Sequence, residues 1–183
     1  MAPPYLPGTT VPYQESGDAL AAIRPLIAAT DGLTLGQLCA ITGLEAPALQ
    51  NWIKRGFVPH PVNRKYQVRH VARILLIAAL RDCLQIDRIG RLLTAVNGDA
   101  DREDDDIVSE DRLYGYLCRV ADRIGQDPPP PDALDALVAE VTADYTPPKQ
   151  GDAARLRAVL GVMAAAYTAS MFKSEADRRF SQI

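Results

Sequence analysis

Thr34-Leu35-Gly36-Gln37-Leu38-Cys39-Ala40-Ile41-Thr42-Gly43-Leu44-Glu45-Ala46-Pro47-Ala48-Leu49-Gln50-Asn51-Trp52-Ile53-Lys54-Arg55-Gly56 holds two short helices and the turn between them. Thr34 and Gln37 have the spacing of a capping box, in which each side chain satisfies a free backbone donor at the other's position. Leu35, Leu38, Cys39 and Ile41 then fall on one helical face, and Gly43 supplies a left-handed stop. After Gly43-Leu44-Glu45 a second helix starts with Pro47 in its first turn, where a missing N–H costs nothing. It turns Leu49, Trp52 and Ile53 inward and ends at Gly56. Two short helices joined by a glycine-containing turn are the signature of a helix-turn-helix.

Downstream, Phe57 to Gln67 contains Pro59 and Pro61, which forbid a helix, and Asn63 suits the turn of a short β-ribbon. A long apolar helix follows from about Val68 to Cys83, and another from about Asp87 to Val96. Upstream, the first residues read as an extended arm, and Asp18 is placed to cap a helix running to Thr30 that Pro25 kinks or shortens. Asp99 to Asp106 is an acidic linker. Beyond it, Ser109 caps a helix to about Ile124, Pro128 to Pro131 is a spacer, and helices span about Asp132 to Asp144 and Asp152 to Arg179. The division is an N-terminal arm and helix (1–32), a winged helix-turn-helix (33–96), an acidic linker (97–108) and a C-terminal helical region (109–183). The fold expected is all-α with a small β-wing.

Charge is distributed unevenly. The whole chain carries −3. Between Asn51 and Arg91, nine basic residues stand against Asp82 and Asp87 alone, a local balance of +7 that leaves −10 for the rest. A basic segment inside an acidic chain is the footprint of a module that meets DNA phosphates; a solvated basic face would give the same count. No apolar run reaches the ~20 residues of a membrane span. The opening residues lack the basic and apolar regions of a signal peptide, so the expected location is the cytoplasm. Cys39, Cys83 and Cys118 form no CxxC pair and have no zinc-like spacing with His60 or His70, so reduced thiols and no metal or cofactor are expected. Asp99, Asp101, Glu103 and Glu110 have calcium-loop offsets, but Asp104 stands where the sharp turn needs glycine. No nucleophile, metalloprotease or phosphate-loop motif points to an enzyme.

Leu35-Gly36-Gln37-Leu38, Thr42-Gly43-Leu44, Leu49, Trp52, Lys54-Arg55-Gly56-Phe57-Val58-Pro59, Arg64-Lys65-Tyr66, Val71 and Ile74, with Leu80 and Ile89-Gly90-Arg91-Leu92-Leu93, resemble the DNA-binding module of the MerR family. The run Asn51 to Gly56, Pro59 to Tyr66 and Asp105 to Ser109 looks closer still to a bacterial group known only as a domain of unknown function with a MerR-like fold. The resemblance implies a DNA-binding transcriptional regulator acting on double-stranded DNA as a homodimer, with room for an unidentified effector.

In helix-turn-helix docking the second helix enters the major groove. Gln50 and Asn51 then become candidate readers of adenine, and Lys54 and Arg55 candidate phosphate contacts. Arg64, Lys65 and Tyr66 lie on the wing, and Arg69 starts the next helix near the phosphate line. Leu156, Val159, Leu160, Met163, Ala164, Tyr167 and Met171 share one face of the last helix, a surface for dimerisation or for packing within the chain. The alternative function is a protein–protein adaptor that keeps the fold without DNA affinity, which Glu45 beside the proposed phosphate site favours.

Overall fold

The computed structural model describes residues 5–12, 20–126 and 129–183. Its helices are α1 (Arg24–Ala29), α2 (Leu35–Thr42), α3 (Ala46–Lys54), α4 (Val68–Leu80), α5 (Ile86–Asn97), α6 (Glu110–Gln126), α7 (Leu134–Val141) and α8 (Asp152–Phe180), with a 3₁₀ turn at Pro131–Ala133. The Asp18 cap lies outside the described residues.

Local chemistry sets most of the boundaries. The Thr34–Gln37 capping box forms, with the Gln37 amide N–H donating to Thr34 Oγ1 (3.3 Å) and the Thr34 amide to Gln37 Oε1 (2.8 Å). Gly43 ends α2 at φ 67°, in the left-handed region that glycine enters without a Cβ clash. Pro25 and Pro47 sit in the first turns of α1 and α3.

The long apolar α4 is the central post: Val71 to Ile77 are all buried. α2 of the helix pair packs on it, as do α6 and α8. One continuous core joins Leu38, Leu49 and Trp52 of the helix pair to Leu113 and Leu117 of α6 and Leu160 and Met163 of α8. The C-terminal helices therefore complete the hydrophobic core of the DNA-binding candidate rather than forming a body apart. The arm belongs to the same core. Leu6 and Pro7 are buried, Thr10 donates to the Ala40 and Ile41 carbonyls at the end of α2 (2.9 and 3.1 Å), and the buried Tyr114 hydroxyl donates to the Pro7 carbonyl (2.8 Å).

Two expectations need correction, and one alternative is resolved. First, no strand occurs among the described residues; extended pairing is confined to the isolated bridges Tyr5–Pro12, Leu33–Tyr66 and Val62–Lys65. In place of a β-wing, a two-residue turn has Asn63 and Arg64 both left-handed (φ 51° and 62°), closed by reciprocal Val62–Lys65 backbone bonds of 2.8 and 3.1 Å. Prolines 59 and 61 remove the donors a longer ribbon would need.

Second, the acidic stretch is no extended linker. Asn97 is buried and donates to the Val108 carbonyl (2.5 Å), the Ile107 amide donates to Val96 (2.9 Å), and Ala100 is buried, so residues 98–109 fold back on the end of α5. Of the two roles open to the apolar face of the last helix, packing within the chain is the one observed: Leu156, Val159, Leu160, Met163, Ala164 and Tyr167 are buried. This face closes the core against α6 and α7 and is not available to a second copy.

Candidate nucleic-acid interface

α3 is amphipathic. Leu49 and Trp52 are buried, Ile53 packs partly against the core, and Gln50, Asn51 and Lys54 are exposed on the outer face. Burial of the indole anchors the helix, so the rotation that hides Trp52 is the one that presents Gln50 and Asn51. Glu45 is the N-cap but makes no side-chain capping bond, and its carboxylate is exposed at the start of the helix.

Arg55 is exposed at the other end of α3, yet it is engaged. Its guanidinium donates to both Asp87 carboxylate oxygens (3.0 and 3.2 Å) and lies 4.7 Å from the centroid of the Phe57 ring. That stack places Phe57 against α5, where its ring occupies the space a side chain at Gly90 would need. A groove of about 640 Å³ opens beside it, lined by Arg55, Phe57, Asp87, Arg91 and Thr94. Arg91 is exposed on the α5 side of this groove; the sequence places it in the basic segment, but it is not among the candidate contacts. Its signal was available in the apolar spacing of Ile89, Leu92 and Leu93, which turns Arg91 outward.

The turn-tip residues diverge. Arg64 is exposed at the tip, with its backbone already in the left-handed region. Lys65 is half-buried, and its ammonium donates to the Thr30 and Gly32 carbonyls (3.0 and 3.4 Å), tying the turn to the end of α1. Tyr66 is buried; its ring meets His70 edge-on at 6.1 Å, and burial raises its hydroxyl above the usual tyrosine range. Gln50, Asn51, Lys54 and Arg64 thus share an outward-facing role, whereas Lys65 and Tyr66 serve packing.

Arg69 leaves the phosphate line altogether. Its guanidinium donates to Glu103 (2.7 Å), the Ala100 and Arg102 carbonyls (both 2.9 Å) and Glu110 (3.4 Å). One turn further along α4, Arg73 is buried. It donates from Nε to the Phe57 carbonyl (2.7 Å) and from Nη1 to Glu110 Oε1 (3.3 Å), with both side chains only 2% exposed. Glu110 therefore joins two arginines of α4, and Arg73 carries the link to the segment following α3. Asp106 sits against the same cluster. Burial, reinforced by Glu110, pushes its carboxyl up to about 7, and its Oδ1 has no hydrogen-bond partner among the described residues.

Residues 34–117 match a family described as a domain of unknown function, DUF1836. The matched segment runs from the capping box through the acidic loop and into α6, so it contains Arg69, Arg73 and Glu110 together. The uncharacterized protein YkrK of Bacillus subtilis (strain 168) is 34% identical over 101 residues, which are 52% of this chain and 43% of YkrK. The alignment therefore spans less than half of that relative. No solved structure gives a significant match. These comparisons agree with a domain of unknown function and carry no MerR description.

Proposed function

We propose that this chain is a DNA-binding regulator whose residues 33–96 act as a MerR-like helix-turn-helix with the Val62–Lys65 turn in the place of a wing, α3 in the major groove of double-stranded DNA and two copies on a pseudo-palindromic site. The observation that carries this reading is the outer face of α3, where Gln50, Asn51 and Lys54 are exposed while Trp52 anchors the opposite side. Gln and Asn each offer the donor–acceptor pair that matches an adenine edge. Lys54 and the Arg64 tip supply phosphate contacts on either side of it, and Arg91 lies within the same basic segment.

The test is fluorescence anisotropy on random-sequence duplex DNA at low and near-physiological salt. A module neutralising two to four phosphates per copy gives log K against log salt a slope of roughly −2 to −4 per copy, by counterion release. Asn51→Ala should lower selectivity among sequences with little change in that slope, and Arg64→Ala should flatten it. Absence of binding at low salt refutes the proposal. The second reading, a protein–protein adaptor, is favoured by the engagement of Arg55 and Arg69 with carboxylates of their own chain and by the exposed Glu45.

A further inference from the structure

α8 spans 29 residues, about 44 Å at the ordinary helical rise. Its inner face closes the core. Its outer face has no charged or polar residue within an arc of about 80°, taking about 100° per residue. The first half of this stripe is Ala154, Ala158, Val162 and Ala165, and the second half Ala169, Phe172, Ala176 and Phe180. All eight are solvent-exposed, with Val162 at 46%, Phe172 at 64% and Phe180 at 77%. The outward faces of α5 and α6 are charged by comparison, with Asp87, Arg88 and Arg91 on one and Arg112, Arg119 and Arg123 on the other. A helix apolar on two opposite faces has the pattern of one covered on both.

We infer that a second copy of this chain covers the outer face, its α8 running antiparallel about a twofold axis at Ala169. The order of large and small side chains decides the occupant and the direction. Antiparallel pairing centred on Ala169 sets Phe180 of one copy opposite Ala158 of the other, Phe172 opposite Ala165, and Val162 opposite Ala176. Every bulky side chain then meets an alanine, and alanine meets alanine on the axis. Such self-complementarity is what an isologous interface requires. Parallel pairing would stack Phe172 on Phe172 and leave gaps at each alanine. The inference deepens the two-copy reading above and uses none of its DNA contacts.

The experiment is sedimentation velocity of the full chain without DNA, across a concentration series, for wild type, Ala165→Glu, Phe172→Lys and the double variant. Both positions are exposed, so circular dichroism should show an unchanged fold in all four. Wild type should dimerise reversibly. Each single variant should raise the dissociation constant at least about tenfold, because it sets an unpaired charge in an apolar seam. The double variant should recover the dimer, since each new carboxylate then faces the partner's new ammonium; a parallel seam would oppose like charges and give no recovery. A monomeric wild type overturns the inference, and one that also floats with lipid vesicles would assign the face to a membrane surface. A dimer that survives Phe172→Lys, or a double variant that stays monomeric, overturns it as well.

Discussion

Glu110→Ala should be among the most damaging single substitutions in this chain, because it strands a buried arginine. Arg73 and Glu110 are each 2% exposed, and burial lowers the Arg73 pKa while Glu110 holds it up. With the carboxylate gone, the 2%-exposed Arg73 guanidinium loses its Nη1 partner and keeps the Phe57 carbonyl at Nε. Breaking a buried pair from one side costs about 3–5 kcal/mol. Arg69 also loses one of its carboxylate partners, but it retains Glu103 and is less buried, which adds at most about 1 kcal/mol. At about 2–4 °C per kcal/mol for a chain of this size, Tm should fall by roughly 6–20 °C. Urea unfolding followed by circular dichroism measures the loss directly. Arg73→Met with Glu110→Leu removes both charges and should recover most of it, because an apolar pair of similar volume has no desolvation to repay. A loss under about 1 kcal/mol for Glu110→Ala, or a double variant no better than the single, would refute the claim that the pair links α4 to α6 as an interdependent unit.

Three further outcomes follow from particular positions. Gly8 has φ 72°, and a Cβ there would run into the Leu75 carbonyl and lie 2.9 Å from the Ala79 nitrogen, both main-chain atoms of α4; Gly8→Ala should cost at least about 2 kcal/mol, and a thermal melt matching wild type would show that the arm is not docked as described. Arg64 bears a side chain in the left-handed region, so Arg64→Gly should relieve about 1–2 kcal/mol of strain and return about 0.4–1 to the greater freedom of the unfolded chain. The variant should therefore be equally or slightly more stable in urea while binding DNA more weakly, and a clear loss of stability would contradict the turn geometry. Asp106 has a folded pKa near 7, above its usual 3.8, so its contribution to stability is fully present below about pH 4 and is lost as pH rises through 7. Asp106→Asn should consequently stabilise the protein at pH 8 relative to wild type and lose that advantage towards pH 4; an equal difference at both pH values would exclude the titration.

Much of the helical layout was legible because its determinants are local. The capping box at Thr34 and Gln37, the glycine stop at 43, and Pro47 each act within one helical turn, and the structure has the boundaries they imply. The apolar spacing that hides Leu49 and Trp52 is local too, and it also turns Gln50 and Asn51 outward. Other expectations depended on partners distant in sequence. Arg69 reads as a phosphate contact from its place at the start of α4, yet its partners lie 31 to 41 residues further on. Lys65 reads as a wing cation, but its ammonium reaches carbonyls more than 30 residues earlier. No periodicity reports where an arginine's fork will land.

The sequence by itself therefore determined that the chain is largely helical, where most helices begin and end, and that a basic segment lies within an acidic whole. Those properties follow from backbone donors, φ restrictions and side-chain period, each confined to a few residues. Tertiary structure alone decided which face of α8 closes the core and which is left for a partner. It also decided that the acidic stretch folds onto α4, and that only part of the basic segment remains outward. Each of these depends on how distant surfaces compete for burial and on which charges must be neutralised once they are inside.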